Sequence, residues 1–141
     1  MTLHSDIISS VQKSAAKRII YLPHAVRQMS RPDRMIRVAE VRNVVELGGL
    51  VEDYPEDLRG HSCLILGYKP EMILQFMSFA HRRMIAPFHV DRKGYHITLD
   101  RIPAWVCAQC GEVYFDEPEV EAIQEVLCTM DQRTEKMAKS A

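Results

Sequence analysis

Apolar residues recur at helical spacing in three stretches of the chain. Over about Ser5 to Lys17, Ile7, Ile8, Val11 and Ala15 share one face, which predicts a first helix. Val38, Val41, Val44, Val45 and Leu47 form a second stripe within Arg37 to Leu47, stopped by Gly48-Gly49. Val120, Ile123, Leu127 and Met130 form the third, in a helix from Glu117 to about Lys136. That helix has Asp116 with Glu119 as a capping-box-like start and Pro118 in its first turn, where the missing N–H costs nothing. Between the stripes, short apolar runs read as strands. "RIIYL" ends at Pro23, His24 to Ser30 fits a short helix, and "LVEDY" and "SCLILGY" flank the Pro55 to Gly60 turn region. The stretch "EMILQFMSFAHRRM" fits strand and helix equally and marks the junction of the chain. After it, "APFHV" and "YHITLD" flank Asp91-Arg92-Lys93-Gly94, a hairpin turn with glycine where φ can be positive.

The pattern predicts an α+β protein in two parts, residues 1–70 and 71–141. The first carries helices on a small antiparallel sheet; the second carries a β hairpin and a long C-terminal helix. A chain of 141 residues with a net charge of −1 is long enough for a moderate core, and its charge excludes wholesale phosphate binding. No apolar run approaches the roughly 18 residues of a membrane helix, and the first residues lack the apolar core of a secretory signal. The expectation is a cytoplasmic protein with no membrane partner.

Charge is distributed unevenly even though it cancels in total. Lys17, Arg18, Arg27, Arg31, Arg34, Arg37 and Arg42 face only Asp33 and Glu40 between residues 17 and 42. From residue 112 onward, Glu112, Asp116, Glu117, Glu119, Glu121, Glu125, Asp131 and Glu135 outnumber Arg133, Lys136 and Lys139. Such runs either keep two surfaces wet or let the acidic segment cover the basic one, within a chain or between chains.

Of the four cysteines, at 63, 107, 110 and 128, only Cys107 and Cys110 are closely spaced. Two disulfides are formally open, but in a cytosolic chain such a pair more often binds metal or does redox work. In "VCAQCGE" two thiolates stand two residues apart before Gly111, as in one half of a zinc knuckle, so the pair supplies half of a tetrahedral site. Redox chemistry would normally place the pair at the start of a helix in a βαβ context, which is missing; two unliganded thiols are the remaining alternative.

"YHITLDRIPAWVCAQCGEVYFDEPEVEAIQEVL" resembles the zinc-binding domain of YgiT-type (MqsA-like) antitoxins over about residues 77–130, most specifically at Ile102 to Cys107 and Cys110-Gly111-Glu112. The resemblance implies a zinc ion. It also implies a first Cys-x-x-Cys where this chain reads Ser78-Phe79-Ala80-His81, so Ser78 and His81 replace the two expected thiolates. The metal ligands are then expected to be Cys107, Cys110 and His81, with Cys63, His61, His89, His96 or water as the fourth. The alternative is a lost site, with the hairpin held by Trp105, Tyr114 and Phe115.

Upstream, "YLPHAVRQMSRPDRMIRVAEVRNVVELGGLVEDYPEDLRGHSCLILGY" resembles small RelE-like toxin-related domains over about residues 8–68, with His24-Ala25, Arg27, Arg34, Val41, Gly48, Asp53-Tyr54-Pro55 and Leu64 to Gly67 in register. Such toxins are ribonucleases that neutralise phosphate with basic residues and move a proton in attack by the 2′-hydroxyl. The resemblance assigns those catalytic roles to His24, Arg27 and Arg34, with Arg31 beside them. The alternative is structural: His24 capping its helix and Arg27 pairing with Asp53 or another carboxylate. The family's further strands past "LILGY" are absent, since the chain turns instead into its antitoxin-like part.

Together these resemblances imply a toxin–antitoxin fusion whose toxin-like half is masked by its antitoxin-like half and inert as a ribonuclease when intact. The alternative is a dimeric zinc-binding regulatory or interaction module without catalysis. Expected partners are a second copy of the chain through the final helix, a toxin–antitoxin-like contact within or between chains, and RNA for the N-terminal half. Only one helix follows the knuckle, so direct DNA reading is not expected.

Overall fold

In a computed structural model the described residues are 2–58, 60–67, 72–75 and 81–140, with the backbone alone described for 2–5 and 72–75. The protein is α+β, as the pattern predicts, and its contacts divide it into two units. One is formed by residues 1–19 and 38–80, the other by 20–37 and 81–141. Ile20–Arg37, which the sequence groups with residues 1–70, belongs by contact to the second unit.

In the first unit, α1 (Thr2–Lys17) and α3 (Val38–Leu47) accompany a three-stranded antiparallel sheet of β2 (Gly49–Tyr54), β3 (Ser62–Leu66) and β4 (Met72–Gln75), in the order β2-β3-β4. The predicted stripes make its core: Ile7, Val11 and Ala15 of α1 and Val38, Val41, Val44 and Val45 of α3 are buried, together with Cys63 and Ile65 of β3. Leu47 departs from its stripe and is 74% exposed, because the helix ends there and the chain turns into β2. Gly48 makes that turn possible. Its N–H donates to the Val44 carbonyl at 2.8 Å, and a Cβ at this position would overlap that oxygen and stand 2.5 Å from Ile65 Cγ2. Gly48→Ala is therefore expected to cost roughly 1–3 kcal/mol by overpacking, read as a lower denaturation midpoint with an unchanged slope. Two side-chain bonds tie the helices: Gln12 Nε2 donates to the Glu46 carbonyl (3.1 Å) and Arg42 Nη1 to that of Ala15 (3.3 Å).

The second unit is a four-stranded antiparallel sheet in the order β1-β7-β6-β5, with α2 (Pro23–Met29) and α4 (Glu117–Lys139) packed on it. Strand β1 is only Ile20–Tyr21, shorter than "RIIYL" suggests; β5 (His81–Arg92) and β6 (Tyr95–Cys107) are longer than the predicted "APFHV" and "YHITLD". The ambiguous junction resolves into β4 and the start of β5, while residues 76–80, with Ser78, lie outside the described residues. The hairpin turn narrows to Lys93-Gly94, both at positive φ (47° and 79°), a two-residue geometry whose twist matches the strands. Strand β7 (Val113–Asp116) lies outside the runs that the sequence pattern marks as strands. It pairs with β6 on one side and, through Asp116 and Phe115, with Ile20 and Tyr21 on the other.

Alternation along β5 buries Ala86, Phe88, Val90 and Arg92 on one face. Also buried in this unit are Ile102 and Ala104 of β6, Phe115 of β7, Val26 and Met29 of α2, and Val120, Ile123 and Leu127 of α4. Phe88 and Phe115 meet edge to face at 6.0 Å. Met130, expected on the buried stripe, lies at its exposed margin. Asp116 does cap the helix, but through the first residue: it accepts the Glu117 N–H at 2.9 Å, while Glu119 Oε1 accepts from Arg83 instead of completing a capping box.

Candidate functional site

The knuckle forms where β6 ends. The Cys107 N–H donates to the Glu112 carbonyl (2.9 Å) and the Gly111 N–H to that of Cys107 (3.0 Å), closing a turn that Gly111 completes at φ 74°. Backbone amides of Cys110 and Gln109 point at the Cys107 sulfur and hold its thiol below the usual range. Both thiols are free, Cys107 at the buried base of the turn and Cys110 on its exposed rim. His81 is the direct partner of Cys107 across the β5–β6 ladder. Its ring meets Tyr114 edge-on at 5.4 Å, and its buried Nε2 has no hydrogen-bond partner. Tyr114 donates to Glu112 at 2.6 Å, and burial together with that carboxylate pushes its phenol up.

Among the described residues no group of three or more His, Cys, Asp or Glu side chains converges to hold a metal. The reason differs for each expected fourth ligand. His89 lies eight residues along β5 from His81, roughly 27 Å at the rise of a strand, and His96 sits beside it at the turn end of the hairpin. Neither reaches the knuckle. Cys63 is fully buried, and burial pushes its thiol up; His61 Nε2 bonds Asp53 Oδ1 at 2.5 Å. What the strands do bring together is the Cys107–Cys110 pair, with His81 adjoining it in register.

The basic segment has a different character. His24 is exposed in the first turn of α2, and Arg34 is exposed in the turn beyond it. Arg27 is tied down: its Nε donates to the His89 carbonyl at 2.8 Å and its guanidinium lies over the Phe88 ring, 5.3 Å from the centroid. The partners of Arg27 are thus a carbonyl and a ring of β5 rather than Asp53, which takes His61. Arg31 pairs with Asp33 at 3.1 Å.

Helix α4 does pack on this segment, though through polar groups. Gln124 Nε2 donates to the Ile36 carbonyl (2.7 Å) and to Ser30 Oγ (3.3 Å), and Arg37 Nη2 to Cys128 Sγ (3.2 Å). The carboxylates Glu119, Asp131 and Glu135 pair instead with Arg83, Arg92 and Lys93 of the hairpin. Arg92 is the deepest of these cations. It donates Nε to Asp131 Oδ1 (3.0 Å), Nη2 to Oδ2 (2.5 Å) and Nη1 to the Ser30 carbonyl, while Tyr95 donates to the same carboxylate. This cluster is hard to see in the sequence, because an arginine at a hairpin turn reads as solvated; the one available signal is the β5 alternation that puts Arg92 on the Phe88 and Val90 face.

A second group outside the prediction lies on the exposed hairpin face. Asp91 Oδ1 holds His96 Nδ1 at 2.5 Å, and Thr98 Oγ1 bridges His96 Nε2 (3.0 Å) and His89 Nδ1 (3.2 Å). Direct cross-strand pairing of Asp91 with His96 and of His89 with Thr98 accounts for it.

The family described as Domain of unknown function (DUF4258) matches residues 21–73, from β1 and α2 through α3 to β4. Neither the curated proteins nor the solved structures contain a match to the chain. No helix among the described residues is long and apolar enough to cross a membrane.

Proposed function

We propose that the protein is a toxin–antitoxin-type fusion whose RelE-like basic segment is held inert by its YgiT-like part, and that the Cys107–Cys110 knuckle takes a zinc ion. The observation that carries the masking is the fate of Arg27. The cation that would meet RNA phosphate is bonded to the backbone of β5 and stacked on Phe88. Holding α2 in this way needs no separate antitoxin, since covalent linkage sets an effective concentration of roughly millimolar. His24 keeps an exposed imidazole, so the proton-transfer group survives while its phosphate partner is engaged.

Two thiolates on a turn whose amides stabilise the Cys107 sulfur fit one half of a zinc site, and the unpaired Nε2 of His81 beside them fits a third ligand after a ring rotation. Bound zinc would supply cross-linking of the knuckle rather than chemistry on RNA. The reading of a zinc-binding interaction module without catalysis draws on the same Arg27 contacts, taken as purely structural.

Purified intact protein is expected to leave RNA uncut under conditions where a free toxin of this type acts. Cleavage by the intact chain, lost in His24→Ala, would defeat the masked reading. Elemental analysis after purification without chelator is expected to find zinc, and its absence after incubation with zinc chloride would remove the metal from the account.

A further inference from the structure

The knuckle offers two thiolates, and the remaining cysteines are committed elsewhere. Cys63 is sealed in the core with its thiol pushed up by burial, and Cys128 accepts a hydrogen bond from Arg37. His89, His96 and His61 are held by Thr98, Asp91 and Asp53, and His81 rests against Tyr114. No three ligands converge among the described residues, and outside the described side chains only His4 and Glu71 carry a group that zinc binds. A structural zinc ion closes its tetrahedron with four ligands and favours thiolates. Cys110 stands on the exposed rim of the turn, with Ala108, Gln109 and Gly111 also exposed, so another protein surface can approach the turn at Cys110, with Cys107 buried behind it.

We propose that a second copy of this chain completes the site: Cys107 and Cys110 from each of two chains bind one zinc ion between them, about a twofold axis through the metal. The inference rests on the zinc reading above at Cys107 and Cys110 and goes beyond it in naming the partner, whose two thiolates take the place given there to His81. A twofold arrangement is self-consistent because the same two residues supply both halves of an isologous contact. Each thiol gives up its proton as the metal binds, so assembly releases protons and weakens as the pH falls.

Light scattering and elemental analysis of the full chain test this together. The expected result is one zinc per two chains in a dimer, with the mass halving when EDTA removes the metal and recovering when zinc chloride is restored. Cys110→Ser loses both zinc and dimer, while Cys110→His, which keeps a zinc ligand, retains the dimer in part; His81→Ala retains both. One zinc per chain in a monomer, lost in His81→Ala, would overturn the shared site and leave the zinc reading standing. A dimer indifferent to EDTA would likewise overturn it. A chain that takes up no zinc at all would end both.

Discussion

Replacing Arg92 with alanine is expected to destabilise the second unit by about 3–5 kcal/mol, the range for removing one partner of a buried ion pair. The Arg92 side chain is 3% exposed and that of Asp131 13%, so the pair is largely withdrawn from water. Without the guanidinium, Asp131 keeps only the Tyr95 hydroxyl, and the Ser30 carbonyl loses its donor. Asp131→Leu combined with Arg92→Met is expected to recover most of the loss, because an apolar pair carries no desolvation cost. Denaturant titration checks both variants, and a loss below about 1 kcal/mol for Arg92→Ala would mean the pair is solvated like a surface bridge.

The same cluster predicts stability lost at both pH extremes. Burial alone would raise the Asp131 carboxyl, but the bonds from Arg92 and Tyr95 and the Arg92 charge outweigh it and hold it below the usual range. The unfolded carboxyl therefore takes up its proton first, and stability falls as the pH drops through the folded value. Tyr95 behaves in the opposite sense. Burial and its bond to Asp131 push its phenol up to about 12, so between the ordinary value of about 10 and that point only the unfolded chain is ionised. Stability falls as the pH rises through this window, and Tyr95→Phe is expected to flatten that limb.

Phe88→Ala is the second large effect, with an expected cost of about 3–5 kcal/mol for emptying a fully buried ring site. It removes the edge-to-face partner of Phe115 and also the ring beneath the Arg27 guanidinium. Phe115→Ala is the matched control, since it opens the same core from the other side and leaves Phe88 under Arg27. If Arg27 is masked as proposed, Phe88→Ala gains RNA cleavage that Phe115→Ala does not, and the gain disappears on adding His24→Ala. Equal, null cleavage in both variants at temperatures where both are folded would favour the module without catalysis.

Much of the fold was legible because its signals are local. The stripes of α1, α3 and α4 and the Lys93-Gly94 turn lie within runs of a few to some twenty residues, where periodicity and turn chemistry act directly. The Cys107–Cys110 spacing was equally plain, since a knuckle is a property of five consecutive residues. Exceptions arose where an element ends or where burial depends on a distant neighbour. Leu47 carries the right residue type, but the helix that would bury it stops there; Arg92 carries the wrong one, and a carboxylate on α4 makes its burial tolerable.

By itself the sequence determined the α+β class, the two amphipathic faces of the N-terminal helices, the hairpin and the paired thiols, because each is encoded by neighbours in the chain. Only the tertiary structure decided that residues 20–37 leave the rest of the N-terminal part to join the second unit. A two-residue strand has no stability of its own, so Ile20 and Tyr21 become a strand only where Asp116 and Phe115 offer a free edge. That pairing spans 96 residues of chain, and with it come the Gln124 bonds and the anchoring of Arg27. No local pattern records such a contact, since loop closure leaves the choice of partner to the assembled core.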